Sequence, residues 1–425
     1  MKLTKTLIAA SLAVVSADSV AAAFQLAEQN ASGLGRAYAG EAAVADDASV
    51  VARNPALMTL FTEKRVSVAG MAVIPDVSLE GTATNNGMDP SVLDDDSIAP
   101  SAFIPAGYFT MPYNDRVSFG FGAFSNFGLA TKFNDDYAAG QIAGETEIVT
   151  VNLNASVAYK VTEQFSFGIG LNAVYADAKI IRKFGASPTP IPASADAVNL
   201  EGDDTGLGLN VGLMYQLNAD NRFGFNYRSE TDITFKGEYT NELPSALVAG
   251  GLDGQVVLPG SVDITLPAIA EFSGSHQLDE KLGLHYSVLW TGWSSFESLE
   301  AKITLPTGDM GTAFEKTEDF SDATRYSMGA DYQYNENLLL RAGFAFDESP
   351  VSQQHLSISI PDTDRFWFSL GGNYSINQHS NVDLGVSVLR GKTQNFTESD
   401  NLGQQWTFES KGHAVLLGAQ YNYTF

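Results

Sequence analysis

The feature that most constrains this chain is a strict two-residue alternation that returns segment after segment. In residues 151–159, VNLNASVAY, the odd positions are Val151, Leu153, Ala155, Val157 and Tyr159, and the even ones are Asn152, Asn154, Ser156 and Ala158. In residues 325–334 the even positions Tyr326, Met328, Ala330, Tyr332 and Tyr334 alternate with Arg325, Ser327, Gly329, Asp331 and Gln333. Residues 366–376 and 382–388 behave alike. Successive strand side chains point to opposite faces, so each segment reads as a strand with one apolar and one polar or small face.

A soluble sandwich also alternates, but three features favour a membrane barrel. The strands are about nine or more residues long, enough for a tilted strand to cross a bilayer. Short polar turns (Asp115, NADN at 218–221, LDEK at 278–281, NENL at 335–338) take turns with longer polar stretches, the asymmetry of outer-membrane barrels. Tyr and Phe recur near strand ends, as an aromatic girdle requires. Roughly fourteen to sixteen segments are present, and closure favours an even number. The last strand ends GAQYNYTF, with Tyr421, Tyr423 and Phe425 on one face, resembling the terminal strand read by the barrel assembly machinery. One strand carries charge: Arg228, Glu230, Asp232 and Lys236 alternate with Tyr227, Thr231, Ile233 and Phe235. Lipid-facing charge costs several kcal/mol at mid-depth, so these are expected inside the wall as a paired network, or above the membrane.

The first residues read as an export signal: Lys2 and Lys5, then an apolar run over 7–15, then small residues at Ser19 and Ala21, with cleavage after Ala21. No later stretch approaches the ~20 apolar residues of a membrane helix. The 425 residues contain no cysteine, so neither a disulfide nor a thiolate metal site is available. Lys and Arg number 24 against 50 Asp and Glu, a net charge of −26. Nucleic acid is thereby disfavoured as a partner.

A barrel of about fourteen strands encloses more space than its wall side chains fill. The segment before the first strand, 22–62, is the candidate plug. It is rich in Gly and Ala, Asp46 and Asp47 are plausible helix caps, and Pro55 stops a helix and biases Asn54 out of the helical region. VARNPALMTLF (51–61) therefore reads as a turn where plug hands over to wall. Catalysis has little support: the five histidines are scattered, His276 and its neighbour Ser275 point to opposite strand faces, and GLGRAYAG lacks the third glycine of a nucleotide loop. No cofactor or metal is implied.

GLGRAYAGEAAVADDASVVARNPALMTLF resembles the N-terminal hatch of the FadL family, the long-chain fatty acid transporters of Gram-negative outer membranes. Further similar stretches are SNFGLATKFND (125–135), NAVYADAKI (172–180), NRFGFNYRSETDITFKGEY (221–239), HYSVLWTGWSSF (285–296), FAFDESPV (344–351) and SISIPDTDRFW (357–367).

The resemblance implies an all-β fold: a fourteen-stranded antiparallel transmembrane β-barrel, residues 63–425, plugged by a small hatch with short helices over 22–62, after a signal peptide of 1–21. The hatch motif is matched by Asn54, Pro55 and Ala56, which in the family lies near a kink in the third strand. That kink, where the wall has a side opening, is matched by Ser125, Asn126, Phe127 and Gly128. Read alone, Arg182 and Lys316 are solvated rim charges; the resemblance makes them ligands of a carboxylate in an apolar pocket, toward which Phe24 reaches. The implied function is passive uptake of long-chain fatty acid across the outer membrane by a monomer in contact with membrane lipid and lipopolysaccharide. Hydrocarbon import by a relative of the family and a general porin are the alternatives. The acidic balance disfavours an anionic ligand, although loop acids are screened beyond roughly 8–10 Å at ordinary salt.

Overall fold

In the computed structural model, residues 23–186, 191–244 and 257–425 are described; the expected signal peptide lies outside them. The chain forms one antiparallel sheet that closes on itself. Its wall strands, in chain order, are β1 (Arg65–Thr84), β2 (Ala102–Pro112), β3 and β4 (Val117–Phe124, Gly128–Lys132), β5 (Gly144–Lys160), β6 (Phe165–Lys183), β7 (Asp196–Asn218), and β8 with β9 (Asn221–Arg228, Thr231–Thr240). They continue as β10 with β11 (Leu258–Leu266, Ile269–Gln277), β12 with β13 (Leu282–Thr291, Ser298–Thr304), β14 with β15 (Met310–Thr317, Ala323–Asn335) and β16 (Leu338–Asp347). The last are β17 (Arg365–Ser375), β18 with β19 (Ser380–Gly391, Gln394–Ser399) and β20 (Gln405–Thr424). Paired segments are two halves of one wall strand, so the wall has fourteen strands, and β20 closes it on β1 along Arg65↔Thr424 to Thr84↔Trp406.

The alternation faces the opposite way from that of a soluble protein. On β5, Leu153 is exposed and Asn152 and Asn154 are buried; on β15, Tyr326, Met328, Tyr332 and Tyr334 are exposed while Arg325 and Ser327 are buried. Apolar side chains left outside and amides drawn inside identify lipid as the outer solvent.

The pattern then reverses along the same strand. On β7 the outward residues Leu207, Leu209, Val211, Leu213, Tyr215 and Leu217 form an apolar band, but Glu201 and Asp203 follow above it, and Val198 and Leu200 turn inward. The wall therefore continues above the membrane as an ordinary water-facing barrel with an apolar interior. For the charged strand the paired network inside the wall is not found among the described residues, and the other expectation, a position above the membrane, is met. Only Arg228 faces in; Asp232 and Lys236 are exposed on β9, with Ile233 and Phe235 inside. A break at residues 229–230 and the position above the bilayer decide which face is polar, and Asp232 accepts from Thr265 Oγ1 at 2.7 Å.

Residues 23–61 lie within the barrel and are almost wholly buried. Their helices are short: α1 (Ala31–Leu34), capped by the Asn30 side chain, α2 (Val50–Arg53), and a 3-10 turn over Pro55–Leu60. Asp47 supports the start of α2 by accepting from the Ser49 amide at 2.8 Å, whereas Asp46 accepts from Arg36 at 2.7 Å. Inward-facing wall glycines let this backbone approach. A Cβ at Gly224 would stand 1.7 Å from the Ala42 carbonyl oxygen, and one at Gly343 would stand 2.1 Å from the Arg36 carbonyl carbon.

Candidate ligand chamber and wall gap

The wall has one discontinuity near the hatch. β2 pairs with β3 only from Gly107↔Ala123 to Pro112↔Ser118; beyond that, β4 pairs with β5 alone. The edge of β2 over 102–106 therefore lacks a ladder partner on that side. Its other edge pairs with β1 residues 69–73, inside the outward apolar band that ends before Asp76. The gap thus stands at the depth of the lipid. The third strand breaks at Ser125–Phe127, and the start of the hatch covers the break. Leu26 donates to the Asn126 carbonyl at 2.7 Å, Gln25 bridges Phe127, and Gln29 Nε2 donates to the Ser125 carbonyl at 3.1 Å.

The hatch motif follows Ala52, whose carbonyl is joined to Asn126 of the kink through Arg228, Asn172 and Asn152. Asn54 Nδ2 donates to the carbonyls of Ala42 at 2.6 Å and Leu213 at 2.9 Å, and its Oδ1 accepts from the Ala56 amide at 3.0 Å. Asn54 and Pro55 seat against Gly212, and Pro55 and Ala56 against Gly168. Residues 24–29 bond the kink itself, because only an extended segment can supply ladder hydrogen bonds, while Asn54–Ala56 forms a turn on β6 and β7.

Above the hatch the barrel interior is an apolar chamber filled by its own packed side chains. Phe24 is fully buried, with ring centroids 4.5 Å from Trp293, 5.4 Å from Phe296 and 6.1 Å from Phe127. Ile180, Leu200, Phe235 and Phe314 line the wall around this cluster.

Two cations stand at its upper side, above the lipid band. Arg182 is 2% exposed, so it is no rim charge. Its guanidinium donates to Thr146 Oγ1 at 3.0 Å, Ser359 Oγ at 3.2 Å, and the carbonyls of Ile181 at 2.9 Å and Glu145 at 3.3 Å; it lies 5.3 Å over the Phe314 ring. All these acceptors are neutral. Lys316 Nζ donates to Glu398 Oε1 at 3.0 Å and lies 3.8 Å from Glu318 Oε1. Both cations act on the charge of Glu318, so the fold gathers them in one cluster although β6 and β14 are far apart in sequence. Glu318, Glu398 and Ser359 were not legible as site residues, since none carries a spacing signal linking it to Arg182.

A closed barrel with outward apolar band, occupied lumen, lateral ladder gap and apolar chamber defines an outer-membrane transport barrel. The chain belongs to the outer membrane protein transport protein family (OMPP1/FadL/TodX), whose model matches residues 12–425. It is 42% identical over 441 residues to a long-chain fatty acid transport protein of Salmonella typhi, covering 99% of this chain and 98% of that one. It is 43% identical over 444 residues to the 47 kDa outer membrane protein of Pasteurella multocida, covering 100% and 99%. Among solved structures, a Pseudomonas aeruginosa FadL homologue superposes with a TM-score of 0.86 at 23% identity, covering 95% of this chain and all of that one. The Ralstonia pickettii toluene transporter TbuX superposes at 0.68 and 18% identity, covering 94% and 99%. These two structures share the fold.

Proposed function

We propose that this protein carries long-chain fatty acids passively through the outer membrane. The cargo enters the apolar chamber, its carboxylate held by Arg182 and Lys316, and leaves sideways through the gap between β2 and β4 once the segment around Phe24 moves. The observation that carries this reading is the buried Arg182, whose hydrogen-bond acceptors among the described residues are all neutral, at the top of an apolar lumen. A guanidinium of that kind suits a carboxylate. Each buried methylene of the cargo adds about 0.8 kcal/mol. A hydrocarbon cargo would leave Arg182 with neutral acceptors alone.

In this reading residues 22–62 act as one hatch after removal of 1–21. The protein works as a monomer in lipid and lipopolysaccharide, inserted by the barrel assembly machinery, and catalyses no reaction. The test is complementation. A strain lacking its own fatty acid transporter should take up labelled oleate when it expresses this chain, and the pure protein should show no large steady ion conductance in planar bilayers. Absent uptake, or porin-like conductance, would overturn the reading.

A further inference from the structure

The cation cluster contains a carboxyl group that its surroundings do not satisfy. Glu318 is 1% exposed, and among the described residues neither carboxyl oxygen has a hydrogen-bond partner, Lys316 Nζ standing 3.8 Å from Oε1. Its backbone amide is fixed on the Glu297 carbonyl at 2.9 Å, and Asp319 after it takes φ 45°, so the turn after β14 holds the side chain inside. The charged groups facing it are Lys316 on its own strand, Arg182 from β6 and Glu398 from β19. Glu398 is already engaged, by Lys316 at 3.0 Å and by the Ile358 amide at 3.0 Å. His355 Nδ1 stands 4.0 Å from Oδ2 of the neighbouring Asp319.

Charge decides what this cluster can accept. With Glu318 ionised, two cations face two anions, and a buried anionic head would leave a net negative charge in an apolar site. With Glu318 un-ionised, the cluster carries one positive charge, which one carboxylate neutralises. The un-ionised acid also has an O–H free to donate, which supplies the hydrogen bond the group lacks. We infer that Glu318 is a further recognition residue of the chamber, taking up one proton from solvent as an anionic ligand binds and admitting that anion only in its un-ionised form. The inference rests on the fatty-acid reading above. Glu318 lies beyond the apolar band, which on its wall strand starts at Tyr326. There burial pushes its carboxyl up to about 7, with Lys316 and Arg182 pulling against it and Glu398 adding to it. Both forms are therefore accessible near neutral pH.

The test uses the full-length protein in a non-ionic detergent and hexadecanesulfonate, whose head stays anionic at every pH used. Ligand titration cannot then supply the pH dependence. If only the un-ionised form binds, apparent affinity falls with that fraction, by about thirtyfold from pH 6 to pH 8.5. Glu318→Gln keeps the shape and removes the charge, so it should bind equally tightly at both pH values. His355→Gln should keep the wild-type slope, and hexadecanol should bind independently of pH. Calorimetry of the wild type at pH 8 in two buffers of different ionisation enthalpy should report uptake of close to one proton, without any variant. A flat wild-type profile, an unchanged slope in Glu318→Gln, or a slope lost in His355→Gln would overturn the inference while the fatty-acid reading stood. Failure of oleate and sulfonate to bind at any pH, with hexadecanol still bound, would overturn both.

Discussion

The amide of Gly128 donates to the carbonyl of Phe24 at 2.9 Å. Through this bond and its neighbours at Gln25 and Leu26, the start of the hatch acts as a strand partner for the wall where the third strand breaks. A buried hydrogen bond of this kind contributes roughly 0.5–1.5 kcal/mol, so that segment stabilises the break. The same segment carries the Phe24 ring into the chamber. Chamber and wall gap thus share one element.

Phe24→Ala removes a ring that packs on Trp293, Phe296 and Phe127. Truncating a buried Phe costs about 3–5 kcal/mol. The expected outcome is faster amide hydrogen exchange at residues 24–26 and 125–128, with the remaining wall strands unchanged. Unaltered protection there would show that the ring does not hold the segment down.

Gly212→Val introduces a Cβ that would stand 2.0 Å from Asn54 Oδ1. The hatch must shift, because Asn54 is also held by two carbonyls and by Ala56. Planar bilayers should record higher conductance from the variant, while its heat-modifiable migration on gels stays that of a folded barrel. Deleting Asn54–Ala56 should likewise abolish oleate uptake with the barrel intact. Normal uptake by the deletion would separate the motif from transport.

Arg182→Ala combined with Lys316→Ala should weaken oleate binding at least tenfold and leave binding of a neutral alkane within twofold. That split is what a carboxylate clamp predicts, since one charge-assisted hydrogen bond is worth about 1.5–3 kcal/mol. An equal loss for both ligands would mean that the variant had damaged the chamber.

Arg36 ties hatch to wall. It donates to Asp46 at 2.7 Å and to Asp331 of β15 at 2.9 Å, and Asp46 in turn accepts from Arg341 of β16 at 3.0 Å, while Arg341 also bonds Asp383 of β18. Arg36→Met removes the buried cation between Asp46 and Asp331 and leaves Arg341 as their remaining shared partner. Limited proteolysis should cut the hatch of the variant far faster than that of wild type. A double-mutant cycle with Asp331→Asn, followed by urea, should return a coupling of about 1 kcal/mol or more. Additive effects would sink the idea that this ion pair is a latch.

The period-two pattern specified the strands by itself, because side-chain direction along a strand depends only on local backbone geometry. The same holds for the turn at Asn54-Pro55, where proline chemistry acts over two residues. Which face of a strand is wet is not a local property. The strand over Thr231–Thr240 alternates as regularly as the one over Gly144–Lys160, yet Lys236 points to water and Asn154 to the lumen. Height relative to the bilayer sets that difference, and only the assembled barrel fixes it. The inward glycines at 224 and 343 read as ordinary strand glycines until the hatch backbone is seen against them. Arg182, Lys316, Glu318 and Glu398 meet only because barrel closure brings β6, β14 and β19 around one lumen, so their shared electrostatics belongs to the tertiary structure and to no stretch of the sequence.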